Sequence, residues 1–436
     1  MTNICRITVL LLMTTPVVAQ VTSPTAKGLV AGPNAGTVAI TGSSSMRAVS
    51  SAREMVTKNP KDANSYTALG FALCHLGQET SDVSLYSEAD EALGRALQIS
   101  PDNFEASKAQ VCVLLVRHEF ARARELAMIL NKRIPDDVMV YGLLVDASAA
   151  LGNYPEAENA AQWMLNLRPG NTPAFLHAAD LREVFGEQEG AIQLLKIVLD
   201  ATPATDADAR VHVLTQMAHV SLEMGNLTSA ESMSEQALSL RPEDSRALLV
   251  LAEVRLLQGK PSDSVQLLHQ SYKALPQTTT LYSLAEAMEA AAMQNEAKSK
   301  FAEFERQATS ESSDPNNANR ELIFYYADHA NKPSKALQIG EQEVARRRDV
   351  HTLDAYAWAL YKNGRYAEAK EQMDISLKVG VREAPIFYHA GEIELRLGNN
   401  TRAEHYFREA AELNSTGSQQ ARAALASVQS QPNNSH

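Results

Sequence analysis

A small residue recurs along most of this chain at an almost constant interval. Ala89, Ala123, Ala157, Ala191, Ala230, Ser264, Ala297, Ala336, Ala369 and Ala403 follow one another at spacings of 34, 34, 34, 39, 34, 33, 39, 33 and 34 residues. Few folds tolerate such a period. A unit of this length is one supersecondary motif, unable to bury its apolar face alone, so successive copies must stack. The product is a quasi-one-dimensional array offering an extended surface in place of one deep catalytic cleft.

The unit from Asp137 to Pro169 shows what each copy forms. Tyr141, Leu144 and Val145 begin an apolar stripe at helical spacing, and Leu151-Gly152-Asn153-Tyr154 interrupts it with a turn. A second stripe runs through Ala157, Ala161 and Met164 to Pro169. Small side chains at Ala157 and Ala161 let two antiparallel helices approach closely, and a proline cannot continue the second helix. The same ending recurs at Leu240-Arg241-Pro242, Ala274-Leu275-Pro276 and Ile99-Ser100-Pro101.

On these residues the chain resembles the tetratricopeptide repeat family, whose pattern places a large residue, Leu and a small residue in the first helix, then small residues and a final Pro in the second. Tyr66-Leu69-Gly70 with Ala89, Ala96 and Pro101 fit it, as do Leu248-Leu251-Ala252 with Leu268 and Pro276, and Ala357 with Ala369. Gly364-Arg365-Tyr366-Ala367-Glu368-Ala369 supplies the turn and the start of a second helix. The resemblance implies an all-α fold, a right-handed superhelical α-solenoid of about ten hairpins in which each touches its neighbours and the whole stays elongated. Residues 62–417 form the array, with capping helices at 46–61 and near 418–436, the latter ending in a polar tail. Three places depart from the pattern. About seven extra residues lie around Gln78 to Leu85, and about five each near Pro203–Asp208 and Ser310–Asn317. Repeat eight is one residue out of step. An extra loop residue would put Leu322, Ile323 and Tyr326 at matching positions in place of Phe324.

Residues 1–19 read as a secretory signal, with Arg6, an apolar run from Ile7 to Met13 and a small-residue site at Val17-Val18-Ala19. The run is too short to span a bilayer. Residues 20–45, rich in Gly, Ser, Thr and Pro, form a flexible leader. The expected location is therefore exported, periplasmic or secreted, with no integral membrane segment after cleavage. With 40 basic and 52 acidic residues and a net charge of −12, the chain is a poor match for nucleic acid. Cys74 and Cys112, on neighbouring first helices, read as buried small hydrophobes, with a disulfide as the alternative.

No G-x-S-x-G, H-E-x-x-H, C-x-x-C or phosphate loop occurs, so no enzyme activity, cofactor or metal site is expected. His177, His219 and His389 read as satisfied helix residues, and the many carboxylate pairs as solvated helix faces. The functional signal is a surface. In the family the first helices line the inner face, which here selects Asp354, Trp358, Tyr361 and Lys362 in repeat nine, Tyr388, Glu392 and Arg396 in repeat ten, and Asp328 in repeat eight. Aromatic rings among charges suit a groove for a protein or peptide partner. Trp358 and Tyr361 have a second reading, as rings packed on the next helix. The family's carboxylate clamp is not carried over: its places hold Thr67 and Phe71, Lys108 and Cys112, then Gly142 and Asp146. The expected function is a non-enzymatic scaffold for protein–protein interaction in the cell envelope. A glycan-binding accessory of polysaccharide or secretion machinery and an unrecognised enzyme are the alternatives.

Overall fold

A computed structural model describes residues 44–80, 82–314 and 317–430. The signal, nearly all of the leader and the tail after Ser430 lie outside the described residues. Every regular element described is helical. Ten hairpins occupy residues 63–99, 104–133, 138–167, 172–201, 207–240, 245–274, 278–310, 319–346, 350–378 and 384–412, flanked by single helices Ser44–Lys58 and Ser418–Ser430. Among the described residues no helix is long and apolar enough to cross a membrane.

The small-residue period marks the point where the two helices of each hairpin meet. All ten markers are at most 1% exposed, Ser264 included. A Cβ at Gly391 would come within 2.4 Å of the Phe407 ring, and one at Gly70 within 2.5 Å of Leu93, so the first helix of the hairpin needs glycine where the second brings a large side chain. Helix starts are set locally. The side chains of Asn103, Asp137, Asp206, Asn226, Asp244 and Asp349 accept hydrogen bonds from backbone N–H groups three residues on.

The irregular intervals are absorbed mostly within helices. The first helix of repeat one extends over Ala63–Thr80, that of repeat five over Ala207–Glu223, and the second helix of repeat seven over Gln294–Ser310. In repeat eight the odd residue lies in the first helix and not in a loop: Asn319–Phe324 passes into a single π-turn at Tyr325–His329. Leu322, Ile323 and Tyr326 are buried, and so is Phe324.

Hairpins do not touch only their neighbours. The superhelix winds tightly enough for the ninth and tenth repeats to come back onto the third, fourth and fifth. The Arg348 N–H donates to Ala150 O at 2.8 Å, and the Val350 N–H to the Tyr154 hydroxyl at 3.1 Å. Gln188 Nε2 donates to Arg382 O at 3.1 Å. Hairpin turns at Gly152, Gly186 and Gly225 meet the backbone of Arg348, Gly380 and Leu413. One apolar core joins Tyr154 and Val184 to Val350 and Val381. The expectation of neighbour-only contact fails because a small rotation per repeat, summed over about six repeats, closes one turn of the superhelix.

Candidate functional site

Residues at one position of the repeat lie beside each other on successive first helices, so a groove can be read as columns. All eight residues selected from the sequence fall into one connected cluster across repeats eight to ten. Trp358 Nε1 donates to both carboxylate oxygens of Asp328, at 3.0 and 3.1 Å. Lys362 Nζ is 2.9 Å from Asp328 Oδ1 and 4.8 Å from the indole ring. The indole stacks on Tyr361 at 4.7 Å and on His389 at 4.1 Å, and Tyr388 lies 6.2 Å away. His389 Nδ1 is 2.5 Å from Asp354 Oδ1. The Tyr361 hydroxyl donates to Glu392 Oε2 at 2.9 Å, and Arg396 lies over the neighbouring Tyr366 ring at 5.5 Å. Burial, reinforced by the Glu392 carboxylate, holds the Tyr361 hydroxyl well above the usual phenol range.

The cluster has an inside and an outside. Trp358 is 3% exposed and Asp354 5%, so in this fold neither presents a surface. Tyr361, Lys362, Tyr388, Glu392 and Asp328 are half-buried, and Arg396 is exposed. The second reading of Trp358, as a packed ring, describes its position, whereas Tyr361 both packs on the indole and reaches the surface.

A second column escaped the sequence reading. Asp146, Asp180, His219, Glu253 and Glu286 each stand eleven residues before a marker alanine or serine, in five successive repeats. Glu253 and Glu286 are buried, at 1% and 2% exposure, and not solvated as the acidic composition suggests. They stay buried because other groups surround them. Thr416 hydrogen-bonds Glu253, His329 lies 3.6 Å from Glu286 and 3.4 Å from Glu289, and His219 Nε2 lies 3.2 Å from Glu183. Burial opposes charging of His219, but Glu183 outweighs it and raises the ring's pKa to about 9. Burial drives Glu223 up to about 8, helped by Glu383 from the tenth repeat. His177 is 3.4 Å from Asp146, so all three histidines singled out earlier have carboxylate partners. The missed signal was the registration of acidic residues with the alanine period, visible only when the repeats are aligned.

Cys74 and Cys112 are both buried and free. Burial pushes the Cys74 thiol up to about 12 and also raises that of Cys112, so both remain neutral packing groups.

Tetratricopeptide repeat models match residues 221–288 and 355–418. No curated protein matches. Among solved structures the chain is similar to yeast Tom70, at 13% identity over 88% of this chain and 95% of that one, with a TM-score of 0.40. Another is PilW, a type IV pilus biogenesis factor, at 14% identity over 47% and 93% and a TM-score of 0.40. A human IFIT1 dimer with m7Gppp-AAAA matches at 12% identity over 84% and 85%, with a TM-score of 0.47. Ten buried small-residue markers, ten helical hairpins in sequence order and two matched repeat segments together establish that this chain belongs to the tetratricopeptide repeat family.

Proposed function

We propose that the chain is an exported, non-catalytic scaffold of the cell envelope that holds a protein partner on the inner face of its ninth and tenth repeats. Repeats of this family support protein–protein interaction in general. The observation that carries the finer reading is the two-layered cluster. Trp358, Asp354 and His389 form a rigid floor, and Tyr361, Lys362, Tyr388, Glu392 and Arg396 lie above it at the surface. Aromatic and Arg side chains held in fixed positions lose little freedom on binding, which favours them as anchors. Export rests on the short apolar run and the small-residue site ending at Ala19.

Two measurements test the proposal. Mass spectrometry of the protein from its own cells should find a chain beginning near Gln20, and an intact Met1 or Thr2 would refute export by this route. For the groove, a partner captured from the native envelope should bind Tyr388→Ala and Arg396→Ala each about thirtyfold more weakly, the usual effect of losing an anchor worth ~2 kcal/mol. A control on a second helix, Glu296→Ala, should bind as the parent does. Equal affinity for all four proteins would place the partner elsewhere.

A further inference from the structure

The returning repeats make a seam between two kinds of edge. Hairpin turns of repeats three, four and five meet the loops that follow repeats eight, nine and ten, so each loop lands on the turn five repeats before it. Both edges run on past the seam. Gly259, Gly364 and Gly398 occupy the turn position of Gly152, Gly186 and Gly225, five residues before the marker, with the same left-handed backbone. Yet among the described residues nothing lies within 4 Å of a Cβ at these three. All five turns of repeats six to ten centre on an exposed residue, whereas Gly152, Gly186 and Gly225 are half-buried. On the opposite rim the loops before repeats one to six, at 59–62, 100–103, 134–137, 168–171, 202–206 and 241–244, each carry an exposed proline.

Charge separates the two open edges. The open turns, 258–260, 291–293, 330–332, 363–365 and 397–399, hold three basic residues, Lys260, Lys332 and Arg365, and no acidic one. The six open loops hold seven acidic residues against three basic ones. Lys332 and Arg365 also pair with Glu305 and Glu368 of their own chain. Lys260, Asp102, Asp136 and Glu243 are exposed and enter no ion pair among the described residues. Opposite potentials at the two ends of one molecule repel like ends and attract unlike ones. The flanking helices point the same way. Ser44–Lys58 stands before a first helix, where a second helix would be, and Ser418–Ser430 stands after a second helix, where a first would be. One of each, from two molecules, completes a hairpin.

We propose that this chain associates head to tail with further copies of itself. The open turns of repeats six to ten on one copy receive the open loops before repeats one to six of the next, so the superhelix continues from molecule to molecule. Such a contact is heterologous and does not close, and association therefore passes beyond the dimer. The inference does not rest on the partner groove of repeats nine and ten, so either can fail alone.

The test is sedimentation velocity of the full chain over a range of concentrations. The parent should form species larger than a dimer as concentration rises. Its association should weaken at least about tenfold between roughly 0.05 and 0.5 M salt, because exposed charges are screened. A turn variant, Lys260→Asp with Lys332→Asp, and a loop variant, Asp102→Lys with Asp136→Lys, should each stay monomeric where the parent associates, with circular dichroism and melting close to the parent's. Mixed in equal amounts they should associate again, since the reversed turns of one match the reversed loops of the other. The parent's growth past the dimer and its salt dependence decide the matter even where a variant fails to fold. The proposal is overturned if the parent stays monomeric up to about 1 mM, stops at a dimer or ignores salt, or if two folded variants stay apart when mixed.

Discussion

Closure of the superhelix on itself can be tested at one glycine. At Gly152 φ is +74°, and a Cβ would sit 2.6 Å from Arg348 O. Ordinary contact begins near 3.4 Å, so alanine must push Arg348 back by about 0.8 Å. The same loop donates Arg348 N–H to Ala150 O at 2.8 Å and Val350 N–H to the Tyr154 hydroxyl at 3.1 Å. A retreat of that size stretches the first bond beyond hydrogen-bonding distance and misaligns the second. Each is worth about 1 kcal/mol net. Placing a non-glycine residue at positive φ adds about 1 kcal/mol more. Gly152→Ala should therefore destabilise by about 3 kcal/mol. Gly364→Ala is the reference, because φ there is +77° with nothing within 4 Å of the added Cβ. It should lose only the conformational ~1 kcal/mol. Native-state hydrogen exchange reads the contact directly: the Arg348 and Val350 amides should exchange about thirtyfold faster in Gly152→Ala, from the ~2 kcal/mol difference, and unchanged in Gly364→Ala. If the two variants lose the same stability and protect these amides equally, the returning repeats are not held at this turn.

Three further outcomes follow from the same contacts. Trp358→Ala should cost about 3–5 kcal/mol, as for any large buried ring, and lower the melting temperature whether or not a partner is present; unchanged melting would mean that the indole is not part of the floor. Gly391→Ala should destabilise by about 1–3 kcal/mol through the Phe407 ring, with a stability close to the parent refuting the packing. Raising the pH from 6 to 9 should also lower the melting temperature. Glu223 and Glu253, with folded pKa values of about 8 and 7, and His219, at about 9, all hold protons more tightly than their unfolded counterparts. Their stabilisation is complete below the unfolded values and is lost as pH rises through the folded ones. Glu223→Gln should flatten that dependence, and an unaltered profile would show that Glu223 does not titrate in this range.

Much of the architecture was legible because it is local. The alanine period and the proline stops act within one hairpin or between adjacent ones, so the residues state them directly. The same locality brought Asp328, Trp358, Lys362, Tyr361 and Glu392 together, since they occupy registered positions on consecutive first helices. What lay beyond the sequence arises from sums over many repeats. The slight rotation from each hairpin to the next leaves no mark on any residue, yet its total sets Gly152 against Arg348 and Thr416 against Glu253. Burial of Glu253 and the π-turn at Tyr325–His329 both depend on that accumulated geometry or on packing across it. Sequence alone determined that this chain is a stack of helical hairpins; only the tertiary structure decided that the stack returns to touch itself, because the superhelical pitch belongs to the whole array and to none of its parts.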